Sequence, residues 1–472
     1  MRAAAALVAG FLGFVANAAQ AMTFEEARHL LARTGFAAPT LAEIEAVRSE
    51  DYGRAVDRIL AEARTAAVTR PPDWTSKPPA FAAKGRPQSD AEKKARRQEM
   101  RDHAIDLKAW WLMEMTATPT PLTERMALFW HNHFTSSLQK VRSPELMFRQ
   151  NQIFRRHGLG NFSVMLSQVA KDPAMLIYLD GRQNRAGQPN ENFARELLEL
   201  FALGEGKGYT ESDIREAARA FTGWTIDPKT GDFAFNRRQH DGGAKTFLGR
   251  TGRFTGDDIL RIVLDHPRAG EHIAEKLWRE FVSDAPDPAD IRHLAGVFRK
   301  FGYEIKPLMR AVLTRAQFRD AANRGALVKS PVDLVVGTMR LAVIRPEDGR
   351  GLAQATRALG QDVFDPPNVK GWPGGTAWIT AASLQARERF LRRVSRGAEM
   401  AMNGKGGKNR DMARDRNMSA AMDGELPARV GGDAETMAKV VLALAPLDPP
   451  LDRVATVDAF RHLLLDPAYQ VK

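Results

Sequence analysis

Apolar side chains recur along most of the chain at the three- to four-residue spacing of an amphipathic helix. In "TFEEARHLLARTGF" the apolar stripe begins at Phe24, and Thr23 with Glu26 forms a capping-box pattern at the start of the segment. The same periodicity returns in later segments such as "NENFARELLELFALG", "ESDIREAARAFTGW" and "RAGEHIAEKLWREFV". The pattern predicts a mainly α protein, built as a multi-helix globular domain.

One stretch has the pattern of β-strands instead. In "WTIDPKTGDFAFN", short β-prone runs flank a turn that contains Pro and Gly, so a small inserted β-hairpin is predicted at about residues 224–236. A glycine-rich loop, "HDGGAKTFLGRTGRFTG", is expected to follow the hairpin. Helical periodicity returns from Asp257 onward.

The start of the chain resembles a secretory signal peptide. Arg2 precedes an uncharged apolar run, and Ala19-Gln20-Ala21 forms a small-residue cleavage site. The run is shorter than the about 20 apolar residues that a transmembrane helix needs, and a single Arg favours the general secretory route. Residues 1–21 are therefore predicted to be a signal peptide, with a buried N-terminal helix as the alternative. A protein exported in this way is expected in the periplasm or outside the cell, without a transmembrane span.

Changes in composition divide the rest of the chain. Residues 22–395 are predicted to form the helical domain, with an extended Pro-rich segment at 70–90. Residues 396–432 are polar, charged and rich in Gly and Met without a helical period, which is typical of a flexible linker. A short amphipathic stretch at 433–472 predicts a C-terminal helical unit.

Composition and charge exclude some kinds of site. The chain contains no cysteine, which excludes disulfides, thiolate nucleophiles and cysteine metal sites. Its net charge of +12 favours anionic partners, and an exported protein meets anionic envelope polymers first. The densest basic run, "KKARRQEMR" at residues 93–101, has helical composition and no interleaved aromatic residues. It is interpreted as a solvated helix face, and no nucleic-acid site is predicted.

The segment "FWHNHF" contains the first candidate site. Metal chelation from a helix needs two histidines at i,i+3 or i,i+4, whereas His131 and His133 are about 200° apart around a helix. They could share an ion only if the helix ended at Trp130. Otherwise we expect one histidine to be buried with a hydrogen-bond partner and the other to lie nearer solvent. Asn132, between them, is a candidate ligand-binding residue.

The second candidate is a polar stripe on the helix "NENFARELLELFALG", which Gly204 is expected to end. Its members at helical spacing are Asn192, Arg195, Glu196 and Glu199. Arg195 can form i,i+4 ion pairs along this stripe, and a solvated, ion-paired face needs no function. If the stripe faces inward, Glu196 could ligate a metal or act as a base, and Asn192 and Arg195 could bind a ligand.

The third candidate is "HDGGAKT" after the hairpin. Its glycines would let His240 and Asp241 approach a ligand closely, and Lys245 could meet an anion. Asp-Gly-Gly is also an ordinary turn sequence, so the segment alone does not decide between a ligand-binding loop and a simple turn.

An ordered series of motifs resembles the DUF1800 family of bacterial proteins. The motifs are "PLTERMALFWHNHFTSS", "NENFARELLELFALGEGKGYTESDIREAARAFTGW", "HDGGAKTFLG" and "PPNVKGWPGG", and the resemblance covers about residues 24–393. It implies a largely helical, often exported protein whose activity is not established. Genes of this family commonly lie beside those of another exported family, which is similar to sulfatases and phosphatases. The resemblance therefore suggests a secreted partner, and it assigns no catalytic residues.

Two functions remain open from the sequence. The first is an exported envelope protein that binds or assembles with a secreted partner or an anionic envelope polymer. The second is a metal-assisted hydrolase-like enzyme that uses a divalent metal. Its predicted catalytic residues are His133, Glu196, His240 and Asp241, and its predicted metal ligands are His131, His133 and Glu196. In either case the site is expected where the "FWHNHF" helix, the acidic helix and the post-hairpin loop meet.

Overall fold

Amphipathic periodicity corresponds to helices throughout the described chain. The computed structural model of the protein describes residues 22–77, 79, 89–342, 348–402, 425–450 and 456–472. Helices account for 64% of it, which confirms the mainly α prediction. The predicted signal peptide lies outside the described residues.

Helices of 4 to 28 residues fill most of the first half of the chain. They are α1 (Phe24–Thr34), α2 (Leu41–Arg48), α3 (Tyr52–Glu62), α4 (Asp90–Ala117), α5 (Pro121–His133), α6 (Leu138–Val141), α7 (Pro144–His157), α8 (Phe162–Ala170), α9 (Pro173–Tyr178), α10 (Asn192–Glu196) and α11 (Glu211–Ala220). The capping box expected at Thr23 with Glu26 is present, and a second one lies at Thr210 with Asp213. Each satisfies amide groups that the first helical turn leaves without partners.

The second half continues in the same way. Its helices are α12 (Gly256–Asp265), α13 (Pro267–Phe281), α14 (Pro288–Lys300), α15 (Ile305–Leu313), α16 (Ala316–Arg319), α17 (Pro331–Leu341), α18 (Arg350–Ala358), α19 (Ala381–Met402), α20 (425–430), α21 (Ala434–Val441) and α22 (Thr456–Leu465). Their apolar faces meet in one continuous core, in which Trp111, Trp130 and Trp278 are the largest fully buried side chains. Within the described residues, no helix is long and apolar enough to cross a membrane.

The predicted hairpin is present and a second one follows it. Strands β1 (Trp224–Ile226) and β2 (Phe233–Phe235) pair antiparallel, as expected. Strands β3 (Lys245–Phe247) and β4 (Arg250–Gly252) also pair, within the segment predicted to be a glycine-rich loop. Strands of three residues are too short to show a clear period-two pattern, which explains why the second hairpin was not predicted.

The boundaries predicted near the C-terminus differ from the structure. Helix α19 passes the predicted linker start at 396 and continues to Met402, and α20 lies inside the predicted linker with Leu426 and Val430 buried. The C-terminal helices also pack on the main domain rather than apart from it. Arg28 of α1 donates to the Val440 carbonyl at 2.9 Å, and the structure therefore places residues 425–450 and 456–472 in the same core.

Candidate functional site

The acidic helix changes geometry in its second half. Helix α10 is followed directly by a π-helix at Leu197–Ala202. The amides of Leu203 and Gly204 both donate to the Leu198 carbonyl, and Gly204 ends the helix with a φ of +97°, as its position in the sequence predicted. The carbonyls near this end therefore need donors from elsewhere in the molecule.

Two buried histidines supply these donors. The Nε2 of His133 donates to the Phe201 carbonyl at 3.1 Å, and the Nε2 of His272 donates to the Leu200 carbonyl at 2.9 Å. A carbonyl can only accept, so each Nε2 carries the proton and Nδ1 is left as an acceptor. Burial holds the pKa of His133 well below its ordinary value and lowers the pKa of His272 to about 4. Both rings are therefore neutral near pH 7.

His133 and the neighbouring Asn132 line a cleft of about 450 Å³ between α5, α13 and the loop that precedes α19. This cleft is rich in charged side chains. Its basic residues are Arg125, Lys276, Arg279, Lys370 and Lys472, and its acidic residues are Glu280, Asp284 and Asp333. Five cations against three anions give the walls a net charge of +2 with His133 neutral.

Lys276 differs from the other basic residues of the cleft. It lies one turn after His272 on α13 and is half-buried, yet its ammonium has no hydrogen bond or ion pair within the described residues. Burial and, to a smaller extent, Arg279 lower its pKa. The ammonium in turn helps to lower the pKa values of His133 and His272. The neighbouring Glu275 opposes the pKa shift of Lys276 but is paired with Arg268, so the ammonium has no direct partner among the described residues.

The loop of the "PPNVKGWPGG" motif closes one side of the cleft and is fixed to Asn132. The Oδ1 of Asn132 accepts from the Trp372 amide at 2.7 Å. Gly371 has a φ of +87°, and a Cβ atom there would lie 2.2 Å from Asn132 Oδ1. The close approach therefore requires glycine. The indole Nε1 of Trp372 is buried without a partner, as is the Nδ1 of His133.

An ion-paired group of the cleft wall has one further cation behind it. Asp333 accepts from both Arg125 and Lys472 at 2.6 Å, and these cations hold its pKa well below the ordinary range although burial opposes that shift. Arg125 also donates to Glu280 at 2.6 Å. Arg33 is fully buried behind them, where burial and the charge of Arg125 lower its pKa to about 9. Its Nε and one terminal nitrogen have no acceptor.

His131 lies in a different environment from His133. It is only 1% exposed and is surrounded by aromatic rings, which are those of Trp111, Phe154, Phe364 and Trp372. Its Nε2 has no partner, and burial lowers its pKa to about 3. Both histidines are therefore buried, whereas one had been expected nearer solvent, and they occupy separate surroundings as their helical spacing predicted.

The predicted polar stripe forms an ion-paired surface. Arg195 bonds to Glu191 and Glu199, as the i,i+4 spacing predicted, and also to Glu211 at 2.8 Å. Asn192 donates to Asp180 at 3.3 Å. These residues satisfy one another and do not line the cleft.

Glu196 is half-buried beside this surface. Burial and the neighbouring Glu199 raise its pKa, and Lys370, which lies in the cleft wall, partly offsets that shift. Glu196 itself is not among the lining residues of the cleft. The acidic helix therefore meets His133 through a backbone carbonyl rather than through its carboxylates.

The post-hairpin loop lies away from the cleft and satisfies its own polar groups. Lys245 is buried and donates to the carbonyls of Asp241 at 2.6 Å and Gly243 at 2.9 Å. The carboxylate of Asp241 pairs with Arg219 at 2.8 Å. His240 donates from Nδ1 to the Thr222 carbonyl at 2.9 Å. None of the three candidate residues of this loop lines the cleft, so the third segment at the site is the "PPNVKGWPGG" loop instead.

The metal ligands proposed from the sequence are not brought together. Among the described residues, no group of three or more His, Asp or Glu side chains is placed to hold a metal ion. His131 lies among aromatic rings, the Nε2 of His133 is bonded to a carbonyl, and Glu196 lies outside the cleft. No step of a reaction can therefore be assigned to a metal held by these three residues.

Some residues of the cleft were predicted from the sequence and others were not. Asn132 and His133 were predicted, and Trp372 belongs to a motif that the family resemblance highlighted. Lys276 and Arg125 were missed because each looks like an ordinary charged residue of an amphipathic helix. The i,i+4 spacing of His272 and Lys276 was an available signal, since it places both on one helix face.

A known protein family matches this chain over most of its length. No curated protein and no solved structure matches the chain. The profile of one family, described as "Protein of unknown function (DUF1800)", matches residues 29–471 and so continues beyond residue 395 through the C-terminal helices. The protein belongs to the DUF1800 family.

Proposed function

We propose that this protein binds a small anionic group, of the sulfate, phosphate or carboxylate class, in the cleft between α5 and α13. One observation carries the proposal, namely that the half-buried Lys276 ammonium has no hydrogen-bond or ion-pair partner within the described residues. An unpaired charge removed from water is costly, and proteins normally pair or neutralise it. A bound anion would supply the missing partner.

Surrounding groups favour the same class of ligand. The walls carry net positive charge, and Arg33 adds a buried cation beneath them. Charge-assisted hydrogen bonds from ammonium and guanidinium groups to oxyanions are about twice as strong as neutral ones. His133 Nδ1 adds a neutral acceptor in the same wall, which suits a ligand that carries a hydroxyl group beside its anionic group.

Binding is proposed to occur in the cell envelope, with an anionic envelope polymer as the source of the anionic group. The signal-peptide pattern of residues 1–21 and the net charge of +12 support this location. Cell fractionation and N-terminal sequencing of the mature protein test it. A mature chain that begins after Ala21 in the periplasm supports export, whereas an intact Met1 in the cytoplasm contradicts it. A secreted sulfatase- or phosphatase-like partner remains a prediction for affinity purification from the same fraction.

The binding proposal is tested by titrating the purified protein with sodium sulfate while chloride keeps the ionic strength constant. We expect saturable binding that weakens at least about tenfold in Lys276→Met, as befits the loss of a charge-assisted hydrogen bond. Lys306→Met is the matched control, because Lys306 is exposed, lies outside the cleft and undergoes the same change of charge. Equal binding in the two variants would contradict the proposal.

A further inference from the structure

A second cavity, of about 470 Å³, lies between α1, Arg324 and the C-terminal segment that contains α21. It shares no lining residue with the cleft. Its volume is within the range of cavities that bind small molecules. The two cavities therefore need separate explanations.

One side of this cavity is aliphatic. Its wall includes Ala438, Leu442, Leu444, Pro446, Pro449 and Pro450. Leu444 is 47% exposed, and the nearby Leu447 is 74% exposed. Large aliphatic side chains left this open to water, next to a cavity of ligand size, favour an apolar ligand segment.

The rest of the lining is polar. It contains three cations and two carboxylates, which are Arg28, Arg324, Lys439, Glu25 and Glu435, and it is incompletely bonded. His29 is 4% exposed, and its Nε2 has no hydrogen-bond partner. The half-buried guanidinium of Arg324 has no hydrogen bond or ion pair within the described residues, and its Nε is buried. The charge of Arg324 helps to lower the pKa of the Glu26 carboxylate, but Glu26 is hydrogen-bonded to Arg319 instead.

The arrangement of these two sides points to a ligand with an acidic head and an aliphatic chain. We propose that the cavity binds a medium-chain aliphatic carboxylate, with the head at Arg324 and the chain along the Ala438–Leu442 wall. The planar guanidinium presents N–H donors in a geometry that matches a carboxylate. This second site is independent of the anion site proposed in the cleft.

Calorimetric titration with decanoate, below the concentration at which it forms micelles, tests the proposal on the full chain. We expect one decanoate per protein, with butyrate and decanol each bound at least about tenfold more weakly because each lacks the chain or the charge. No decanoate binding by the wild-type protein would overturn the proposal.

Two variants distinguish the head from the chain. Arg324→Met is expected to remove the preference for decanoate over decanol, whereas Arg292→Met, an exposed arginine outside both cavities, is expected to preserve it. Ala438→Phe is expected to block both ligands while the thermal unfolding transition remains cooperative. Decanoate binding that survives Ala438→Phe, or that is lost in Lys276→Met, would place the ligand elsewhere and overturn the proposal.

Discussion

The cleft and the post-hairpin loop contain similar side chains that are used in opposite ways. Each contains a histidine and a lysine, which are His240 and Lys245 in the loop and His133 and Lys276 in the cleft. In the loop, Lys245 donates to two carbonyls and His240 to a third, so the polar groups are satisfied locally. In the cleft, Lys276 has no partner within the described residues and His133 Nδ1 accepts nothing.

This difference separates a structural cluster from a binding site. A buried polar network whose members satisfy one another stabilises the fold and has no bonding capacity left for a ligand. Charged or polar groups that remain unsatisfied cost stability, and a ligand can offset that cost. The comparison therefore predicts opposite results for the same substitution at Lys245 and at Lys276.

The largest effect is expected at the contact that holds the cleft loop in place. Gly371→Ala should destabilise the protein by about 2–4 kcal/mol, because the added Cβ meets Asn132 in a left-handed conformation. Urea unfolding measures this loss, and hydrogen exchange at the Trp372 amide should become faster. Gly374→Ala is the control, since Gly374 has a negative φ and its added Cβ would have no neighbour within 4 Å. Equal effects of the two changes would show that the loop is not fixed as described.

Lys245→Met is expected to cost about 1–2 kcal/mol, because the carbonyls of Asp241 and Gly243 lose a charged donor in partly buried hydrogen bonds. Urea unfolding of the variant and the wild type measures the difference in free energy. Sulfate binding should not change, since Lys245 does not line the cleft. A variant as stable as the wild type would remove the structural role assigned to this loop.

The pH dependence of sulfate binding tests which groups of the cleft carry the charge that binds the anion. Burial depresses the pKa values of His133 and His272, so the affinity should not change as these rings would ordinarily titrate, between about pH 5 and 8. Affinity should fall as the pH rises through the pKa of Lys472, which burial lowers to about 8, and through the lowered pKa of Lys276, because these two cleft lysines then lose their charge. Titrations at a series of pH values test both statements. A rise in affinity on acidification from pH 7 to about 5 would mean that a histidine becomes charged.

The smallest effect on stability is expected for Lys276→Met. Replacing a half-buried, unpaired charge by an apolar side chain of similar size should leave the free energy of unfolding unchanged or raise it by up to about 1 kcal/mol. Substitution of lysine by methionine should thus lower the free energy of unfolding at position 245 but not at position 276. Destabilisation of more than about 2 kcal/mol at Lys276 would indicate a structural bond that this account does not contain.

Local patterns predicted the fold better than they predicted the site. Helical periodicity, the capping box at Thr23 and the first hairpin depend on neighbours in sequence, and all of them are confirmed. The π-helix at Leu197–Ala202 was not predicted, since it differs from an α-helix by one residue per turn over a short stretch. Its contacts are visible only in the folded chain, where His133 and His272 bond to its carbonyls from positions about 70 residues away.

The candidate site could be predicted only in part, because it also depends on contacts between segments that are distant in sequence. Asn132 and His133, which the sequence singled out, both line the cleft. Glu196, His240 and Asp241 were expected to join them, but their partners are residues on other segments that sequence spacing does not reveal. The unsatisfied state of Lys276 is a property of the whole structure and has no sequence signature.

If Lys276 is the cationic contact of an anion site, a crystal structure with selenate should show the anion bound to it. Selenate replaces sulfate and is located by its anomalous scattering in protein that contains ordinary methionine. We predict a selenate oxygen within about 3 Å of Lys276 Nζ, as for a charge-assisted hydrogen bond. Selenate found only at exposed arginines, with Lys276 Nζ bonded to a carboxylate of its own chain, would contradict the account.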